Sequence, residues 1–221
     1  MDIKILLSNI AETTEAFDVS GLSLNTKTLT KGDLFIALQG EKSHGAEYID
    51  SAIENGCIAV LIEGRDVDCG VPTIRIDNLK PHLSGLAQNF YTKAKDVDLI
   101  AVTGTNGKTS VSHYISQLLD FLEVNNGVIG TLGISKVEKK SINTTPDIFS
   151  IYSSLEEYSS QGIKLAIIEA SSHALMQDRL EGLSFVQGIF TNLTQDHLDY
   201  HQTMGNYKEA KGKLFTNGFS K

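Results

Sequence analysis

The sequence predicts an α/β protein in which a small mixed α/β domain is followed by part of a doubly wound domain. Three observations support this prediction. Short apolar runs alternate along the chain with amphipathic segments of helical period. A glycine-rich turn lies between one of these runs and the helical segment after it. The charged residues 93–96 mark the best boundary, so we predict domains at residues 1–96 and 97–221.

In the first domain, apolar periodicity predicts short helices and strands separated by polar turns. The helices are expected at residues 3–10, 48–55 and 80–93, and the strands at residues 34–38, 58–62 and 73–76. The first of these strands runs into the polar loop Gly40-Glu41-Lys42-Ser43-His44-Gly45. Loops at the carboxyl ends of strands are common ligand sites, so this loop is a candidate binding loop, with an ordinary strand-to-helix connection as an equal alternative.

In the second domain, strand, loop and helix alternate as in a doubly wound sheet. Strands are expected at residues 98–102, 127–130, 165–169 and 186–190, and helices at residues 110–122, 148–161 and 203–215. The first of these helices has an apolar stripe formed by Val111, Tyr114, Ile115, Leu118, Leu119 and Leu122. This spacing is typical of an amphipathic helix.

The stretch Val102-Thr103-Gly104-Thr105-Asn106-Gly107-Lys108-Thr109 follows a predicted strand and precedes a predicted helix. Its two glycines allow backbone N–H groups to turn towards an anion, and the helix N-terminus adds a favourable dipole. Lys108 supplies a charge for the β- and γ-phosphates of a nucleotide, and the Thr109 hydroxyl can bind Mg²⁺. Val102 stands where a full Walker A motif has glycine, so a chance turn before a helix is the alternative. We predict a P-loop-type nucleotide site.

Polar residues follow two further strands of this domain. Glu169 ends the strand at 165–169 and precedes Ser171-Ser172-His173, and Thr191-Asn192 follow the strand at 186–190. Ligands of open α/β sheets bind at the carboxyl ends of the strands, so these residues are expected to line one crevice with the phosphate loop. Glu169 is the natural carboxylate for a metal beside the phosphates, and capping of the following turn is its alternative role.

The last part of the chain adds two features. Four potential metal ligands lie close together in sequence, namely Asp196, His197, Asp199 and His201. They form either a metal site or a solvated polar loop. In the last helix, Lys211 lies in the middle of an apolar face formed by Met204, Tyr207, Leu214 and Phe215. A lysine in this position either extends to solvent or has a function.

Composition excludes several classes of protein. The net charge of −8, without a basic block, argues against nucleic acid as the main partner. No apolar run approaches the ~20 residues of a membrane helix, and the N-terminus lacks the pattern of a signal peptide, so we predict a cytoplasmic protein. Cys57 and Cys69 lie in unrelated contexts and are expected to be reduced, structural thiols.

The phosphate loop is combined with four further motifs. They are Asn143-Thr144-Thr145-Pro146-Asp147, the string EASSHAL at residues 169–175, Gln177-Asp178-Arg179 and the string DHLDYH at residues 196–201. This combination resembles the Mur ligase family, and the resemblance extends from about Leu24 to Phe215. It implies an ATP-dependent amide ligase of peptidoglycan precursor synthesis. Such an enzyme adds a third residue, diaminopimelate or L-lysine, to UDP-N-acetylmuramoyl-L-alanyl-D-glutamate through an acyl phosphate.

The resemblance also implies roles for individual residues. Thr103, Gly104, Thr105, Asn106, Gly107, Lys108 and Thr109 would hold ATP. The muramoyl dipeptide would be bound by Asn143, Thr144, Thr145, Ser171, Gln177 and Arg179. The uridine part would be bound in the first domain by Leu24, Thr26, Glu41, Lys42 and Ser43. The Mg²⁺ ligands would be Thr109, Glu169, His197 and Lys211 as a carbamate. The catalytic residues would be Lys108, Lys211, Glu169 and His197.

The resemblance further implies small-molecule substrates, no nucleic-acid or membrane partner, and a monomeric protein. The chain stops at Lys221, so the rest of the ATP-binding domain and the C-terminal amino-acid-binding domain of the family are expected to be absent. The alternative to a ligase is therefore a truncated, non-catalytic module that binds UDP-muramoyl peptide or ATP. A folate or cyanophycin type of ligase is less favoured, because the first domain resembles a uridine nucleotide site.

Overall fold

The protein is described from a computed structural model that covers residues 1–40, 43–137 and 143–217. The chain forms two compact units, Met1–Phe90 and Tyr91–Lys221. The charged residues 93–96, chosen as the boundary from the sequence, belong to the second unit. There the backbone N–H of Lys93 donates a 2.7 Å hydrogen bond to the carboxylate of Glu156. No helix within the described ranges is long and apolar enough to span a membrane.

The first unit contains a four-stranded parallel sheet with the order β1-β2-β3-β4. Its strands are β1 (Gly21–Ser23), β2 (Asp33–Ala37), β3 (Ala59–Glu63) and β4 (Thr73–Ile76). Its α-helices are α1 (Ile3–Leu6), α2 (Ile49–Glu54) and α3 (Leu83–Phe90), and the last two follow 3-10 turns at Gly45–Tyr48 and Lys80–His82. Strand β2 is buried along its whole length, as expected for a parallel strand covered on both faces.

Three elements of the first unit differ from the sequence prediction. The helix predicted at residues 80–93 is α-helical only over Leu83–Phe90, after a 3-10 turn at Lys80–His82. Helix α1 ends at Leu6, short of the predicted residue 10, and Asn9 adopts a left-handed backbone with φ 66°, which an α-helix cannot accommodate. Strand β1 was not predicted, because three residues are too few to show an alternating pattern. It pairs with β2 through Leu22 opposite Leu34.

The second unit contains a five-stranded sheet with the order β7-β6-β8-β5-β9. Its strands are β5 (Asp98–Thr103), β6 (Asn126–Gly130), β7 (Gly133–Ile134), β8 (Leu165–Glu169) and β9 (Phe185–Phe190). All pairs are parallel except β6 with β7. Its helices are α4 (Lys108–Phe121), α5 (Ile148–Ser160), α6 (Ser172–Met176), α7 (Leu198–His201) and α8 (Met204–Asn217). The short elements β7, α6 and α7 were not predicted.

Helices cover both faces of this sheet. Val111, Ile115 and Leu119 of α4 pack with Val102, Val128 and Ile167 in one hydrophobic cluster. On the other face, a Cβ atom on Gly127 would lie only 2.4 Å from the ring of Tyr158 in α5. Because Gly127 and Val128 are successive residues of β6, their side-chain directions point to opposite faces. The α/β prediction with a doubly wound sheet is thereby confirmed.

Two apolar stripes are less buried than their spacing predicts. Tyr114 and Leu118 of α4, and Leu122 at its C-cap, are 64–66% exposed, since only the side of the stripe nearer Val111 reaches the sheet. In α8, Tyr207 and Leu214 are buried, but Phe215 is 40% exposed and its ring lies 6.1 Å from that of Phe190. Strand β9 is paired on one side only, with β5, within the described part of the chain.

Candidate functional site

The phosphate loop lies between the end of β5 and the start of α4. Gly104 and Gly107 adopt φ values of 140° and 85°, which L-residues with a Cβ rarely adopt. A Cβ on Gly104 would also lie 1.9 Å from the Thr191 hydroxyl. Gly107 is the N-cap residue of α4, and no side chain caps the helix there. The first N–H groups of this helix are therefore available to an anion.

Lys108 folds back over the loop that carries it. Its ammonium donates to the carbonyl oxygens of Gly104 at 2.9 Å and Thr105 at 3.0 Å. Burial lowers the pKa of Lys108, and the carboxylates of Glu169 and Asp196 act in the opposite direction. The loop therefore carries its cation close to where the dipole of α4 would attract phosphate.

Glu169 is a fully buried carboxylate at the end of β8. It accepts hydrogen bonds from the Thr109 hydroxyl at 2.8 Å, and from the backbone N–H and the hydroxyl of Thr131, each at 3.0 Å. The turn after β8 is capped by Ser171, whose hydroxyl accepts from the N–H of Ala174, so the alternative capping role for Glu169 is wrong. The carboxylate is directed instead at the first turn of α4.

Thr145 connects the other predicted substrate residues. Its buried hydroxyl donates to the Glu169 carbonyl at 2.6 Å and accepts from the backbone N–H of Ser171 at 3.0 Å. Its carbonyl accepts from Arg179 at 2.7 Å, and Arg179 also donates twice to the side-chain oxygen of Gln177. Thr144 joins the same region, since its hydroxyl oxygen lies 3.1 Å from that of Thr131. Asn143 is exposed.

Lys211 is buried, with only 1% of its surface exposed, so it does not extend to solvent. Its ammonium donates to the Gly104 carbonyl at 2.7 Å and lies 4.5 Å from the centre of the Tyr207 ring. Burial, together with the charge of Lys108, lowers the pKa of Lys211 to about 8. Lys108 and Lys211 thus donate to the same carbonyl oxygen, which places two cations at one point of the phosphate loop.

The acidic and histidine residues at 196–201 do not form a metal site by themselves. Within the described residues, no three His, Cys, Asp or Glu side chains are grouped to hold a metal ion. His201 is buried against the Ser172 hydroxyl at 2.9 Å. His197 adopts φ 51°, approaches the Asp196 carboxylate at 3.5 Å, and has its ring 6.2 Å from that of Tyr207.

The predicted Mg²⁺ ligands are therefore brought together only in part. Thr109 and Glu169 are in direct contact, and their hydroxyl and carboxylate oxygens are the donors that Mg²⁺ prefers. Lys211 contacts the phosphate loop at Gly104. His197 lies beside Tyr207, whose hydroxyl donates a 3.2 Å hydrogen bond to the hydroxyl of Thr105 in the same loop.

In the first unit, the predicted uridine residues lie at the carboxyl ends of two neighbouring strands. Leu24 and Thr26 follow β1, and Ser43 follows β2. The Thr26 carbonyl accepts from the Asn55 side chain at 3.2 Å, and the Ser43 hydroxyl lies 3.3 Å from the Tyr48 hydroxyl. Glu41 and Lys42 lie outside the described residues.

Sequence reasoning did not identify every residue of the site. Thr131 was missed, although it is the first polar residue after β6 and so carries the same strand-end signal as Glu169. Gly130 was also missed, and a Cβ there would lie 2.1 Å from a carboxylate oxygen of Glu169. No pattern in the sequence around Gly130 indicates that this glycine leaves room for a carboxylate from another strand.

Comparisons with known proteins agree with this geometry. The Mur ligase middle domain matches residues 102–221, and the Mur ligase family catalytic domain matches residues 18–91. A UDP-N-acetylmuramoyl-L-alanyl-D-glutamate–2,6-diaminopimelate ligase of Haemophilus influenzae strain PittGG is 39% identical over 95% of this chain and 45% of its own length. The ligase of the same name from Alkaliphilus oremlandii is 37% identical over 90% of this chain and 41% of its own length.

Solved structures give the same result. A structure of UDP-N-acetylmuramoyl-L-alanyl-D-glutamate–2,6-diaminopimelate ligase has a TM-score of 0.78 and 29% identity, covering 97% of this chain and 45% of its own. MurF from Acinetobacter baumannii shares the fold with a TM-score of 0.66, at 15% identity, over 98% of this chain and 46% of its own. The chain spans about 45% of the length of the relatives it matches. Since the middle-domain match alone extends over residues 102–221, more than half of the sequence, this chain belongs to the Mur ligase family.

Proposed function

We propose that this chain carries the substrate-binding and phosphate-binding parts of an ATP-dependent amide ligase of peptidoglycan precursor synthesis. The reaction joins a third residue to UDP-N-acetylmuramoyl-L-alanyl-D-glutamate. The names of the relatives support diaminopimelate, rather than L-lysine, as that residue. The observation that carries the proposal is the contact of Thr109 with the buried Glu169 directly behind the phosphate loop.

ATP phosphates would bind at the start of α4. The uncapped N–H groups there attract an anion, and Lys108 can exchange its bonds to Gly104 and Thr105 for bonds to phosphate oxygens. The oxygen donors of Thr109 and Glu169 fit Mg²⁺, which supplies neutralisation of phosphate charge when it is bound. Thr131 would orient Glu169 through its two hydrogen bonds.

The muramoyl dipeptide would bind near Thr144, Thr145, Ser171, Gln177 and Arg179. The bonds of Arg179 to Gln177 and to the Thr145 carbonyl hold the guanidinium in one orientation, which suits recognition of a carboxylate. Leu24, Thr26 and Ser43, with Glu41 and Lys42, would hold the uridine part in the first unit.

In the proposed reaction, the D-glutamate side-chain carboxylate attacks the γ-phosphorus of ATP and ADP leaves. The amine of the incoming residue then attacks the acyl phosphate and releases phosphate. The chain's own residues contribute alignment and charge neutralisation, which is most of what phosphoryl transfer requires.

We further propose that Lys211 reacts with CO₂ to form a carbamate. Two ammonium groups on the Gly104 carbonyl repel each other, and Lys211 is too deeply buried for water to screen that repulsion. Addition of CO₂ to the neutral amine forms an N–C bond and releases one proton, so the side chain becomes an anion able to pair with Lys108 or with Mg²⁺. A carbamate carbon signal with ¹³C-bicarbonate, absent in Lys211→Ala, tests this step by NMR.

Calorimetry of the 221-residue chain tests the binding part of the proposal. The parent should bind MgATP and UDP-N-acetylmuramoyl-L-alanyl-D-glutamate. Lys108→Ala should no longer bind MgATP but should still bind UDP-N-acetylmuramoyl-L-alanyl-D-glutamate. If Lys108→Ala bound MgATP as tightly as the parent, the phosphate loop would be assigned wrongly. Phosphate release that requires both diaminopimelate and the UDP substrate identifies a ligase, and binding without release identifies the alternative, a non-catalytic module.

A further inference from the structure

Residues 191–194, which follow β9, hold the outer half of the phosphate loop. The backbone N–H of Thr105 donates to the Asn192 carbonyl at 2.9 Å, and the N–H of Asn106 donates to the Asn192 side-chain oxygen at 3.1 Å. The Asn106 carbonyl accepts from the Asn192 side-chain nitrogen at 3.0 Å and from the Thr191 hydroxyl at 2.7 Å. Asn192 therefore satisfies both backbone groups of Asn106 with one side chain.

Thr105 is fixed from two directions. Its hydroxyl donates to the Thr194 carbonyl at 3.1 Å and accepts from the Thr194 N–H at 3.0 Å. The hydroxyl of Tyr207 on α8 lies 3.2 Å from the same atom. The loop is thus connected both to the segment after β9 and to the helix that carries Lys211.

These bonds decide which N–H groups remain for an anion. The N–H groups of Thr105 and Asn106 are already used by Asn192, whereas those at the uncapped start of α4 are not bound by a side chain. A phosphate would therefore be bound mainly by the loop from Gly107 onwards. The conformation of that half depends on Asn106, because Asn106 directly precedes Gly107 at φ 85°.

We propose that Asn192 and Thr191 are positioning residues that hold the phosphate loop in its phosphate-binding conformation. They act through Asn106 and do not touch the nucleotide. The inference rests on the proposed binding of ATP phosphates by this loop, and it gives a positioning role to two residues that the sequence places only at the crevice around the loop. Preorganisation of this kind raises affinity because ordering of the loop is not required on binding.

The experiment compares variants of the whole chain by calorimetry with magnesium tripolyphosphate and with MgATP. Asn192→Ala loses two side-chain bonds, and we expect about tenfold weaker binding of both ligands. Asn192→Asp keeps the acceptor but turns an anionic oxygen towards the Asn106 carbonyl, so its loss should be larger. Gln195→Ala, a change at an exposed residue of the same loop, is the matched control and should bind like the parent.

Thr191 provides the conservative comparison. Thr191→Ser keeps the hydroxyl that donates to Asn106 and should bind tripolyphosphate nearly as the parent does, whereas Thr191→Val keeps the shape and should bind several-fold more weakly. If Thr191 had only a structural role, the two variants would bind tripolyphosphate equally tightly at a temperature at which both are fully folded.

Amide hydrogen exchange separates this inference from the proposed function. In Asn192→Ala, the amide of Asn106 should lose protection while those of β5 keep theirs. The parent could bind no phosphate ligand while Asn106 still lost amide protection in Asn192→Ala. That result would contradict the proposed nucleotide binding but would support the role of Asn192 in holding the loop. Unchanged exchange at Asn106, or tripolyphosphate affinity equal to the parent in Asn192→Ala, overturns the inference.

Discussion

At the scale of single residues, Glu169 fits its site because Gly130 beside it has no side chain. Gly130 has no Cβ, and the Glu169 carboxylate occupies the space where a Cβ would lie. Three donors from Thr109 and Thr131 then satisfy the buried carboxylate. A buried anion without such donors would be strongly destabilising. Gly130 therefore provides the space for the carboxylate, and Thr131 provides two of the hydrogen bonds that stabilise it there.

The change Gly130→Ala should displace Glu169 from Thr131. We expect a loss of about 1–3 kcal/mol in the free energy of unfolding, since the added Cβ would lie 2.1 Å from a carboxylate oxygen. Urea denaturation measures this loss. Gly212→Ala is the control, because a Cβ on this helical glycine meets nothing within 4 Å and should stabilise α8 by about 0.5–1 kcal/mol. Equal effects of the two changes would contradict the crowding at Gly130.

Lys211 should make stability depend on pH. Its pKa is about 8 in the folded chain and close to the ordinary 10.5 when unfolded, so the unfolded state binds more protons between these values. The free energy of unfolding therefore rises with pH across that window. Below pH 8 the full cost of burying the charged ammonium is present, and it amounts to roughly 3 kcal/mol. In CO₂-free buffer, Lys211→Met should stabilise the chain at pH 7 more than at pH 10.

The matched variant for this measurement is Lys208→Met, because Lys208 is an exposed lysine on the same helix. Its effect on the urea midpoint should be the same at pH 7 and pH 10. A Lys211→Met effect that is also independent of pH would show that the ammonium is solvated in the folded chain.

At the scale of elements, the N-terminus of α5 is fixed by one carboxylate. Asp147 accepts hydrogen bonds from the N–H groups of Phe149 and Ser150, each at 3.1 Å, and from the Ser150 hydroxyl. Helix α5 carries Tyr158, which packs against Gly127 of β6 and donates to the Val128 carbonyl at 3.2 Å. The cap therefore anchors a helix that covers one face of the sheet.

Removal of this cap should weaken the second unit. We expect Asp147→Ala to lower the free energy of unfolding by about 1–2 kcal/mol, because two helix N–H groups lose their acceptor. Asp147→Asn keeps an oxygen acceptor and should cost less. The comparison is made by chemical denaturation, and a loss for Asn as large as that for Ala would assign the effect to charge and not to capping.

The sequence predicts the longer elements well because their patterns are local. Strands β4 and β8 were predicted at their observed bounds, because β4 alternates polar and apolar residues and β8 is a short apolar run. Helix α6 has five residues and α7 has four, too few for a 3.6-residue period to be recognised. The exposure of Leu118 could not be predicted either, because periodicity alone does not tell which part of a wide apolar stripe meets the sheet.

The same distinction holds for the site. The phosphate loop, Glu169 and Lys211 were selected from local patterns. Thr131 was not selected, and the contacts of Asn192 and Tyr207 with the phosphate loop were not predicted, since these three residues contact partners 38, 86 and 102 residues away in sequence. Contacts between such distant residues follow from the strand order β7-β6-β8-β5-β9, which a single sequence does not specify.

At the scale of the whole molecule, the proposed sites for the uridine part and for the ATP phosphates belong to different compact units. Leu24, Thr26 and Ser43 belong to Met1–Phe90, and the phosphate loop belongs to Tyr91–Lys221. Each unit has its own sheet, in which the candidate residues lie at the carboxyl ends of parallel strands. Binding of phosphate at the loop therefore does not require the residues of the proposed uridine site.

This separation predicts two independent sets of amide shifts in NMR titrations of the 221-residue chain. UDP-N-acetylmuramate should shift the amides of Leu24, Thr26 and Ser43, and magnesium tripolyphosphate should shift those of Gly107 and Lys108. Absence of shifts in the first unit at millimolar UDP-N-acetylmuramate would count against the uridine site. The amides of Ile53 and Leu119, which are internal to the two units, serve as references.

Strand β9 has a consequence for the handling of the protein. The sequence of Phe185–Phe190 contains no charge and no proline, Val186 and Phe190 are 57% and 42% exposed, and one edge has no partner strand within the described residues. Natural edge strands are usually protected from self-pairing by lysine or proline. Concentrated solutions should therefore scatter light, because β9 strands of different molecules associate edge to edge. Gln187→Lys should raise the concentration at which scattering begins. An unchanged threshold would exclude β9 as the surface that self-associates.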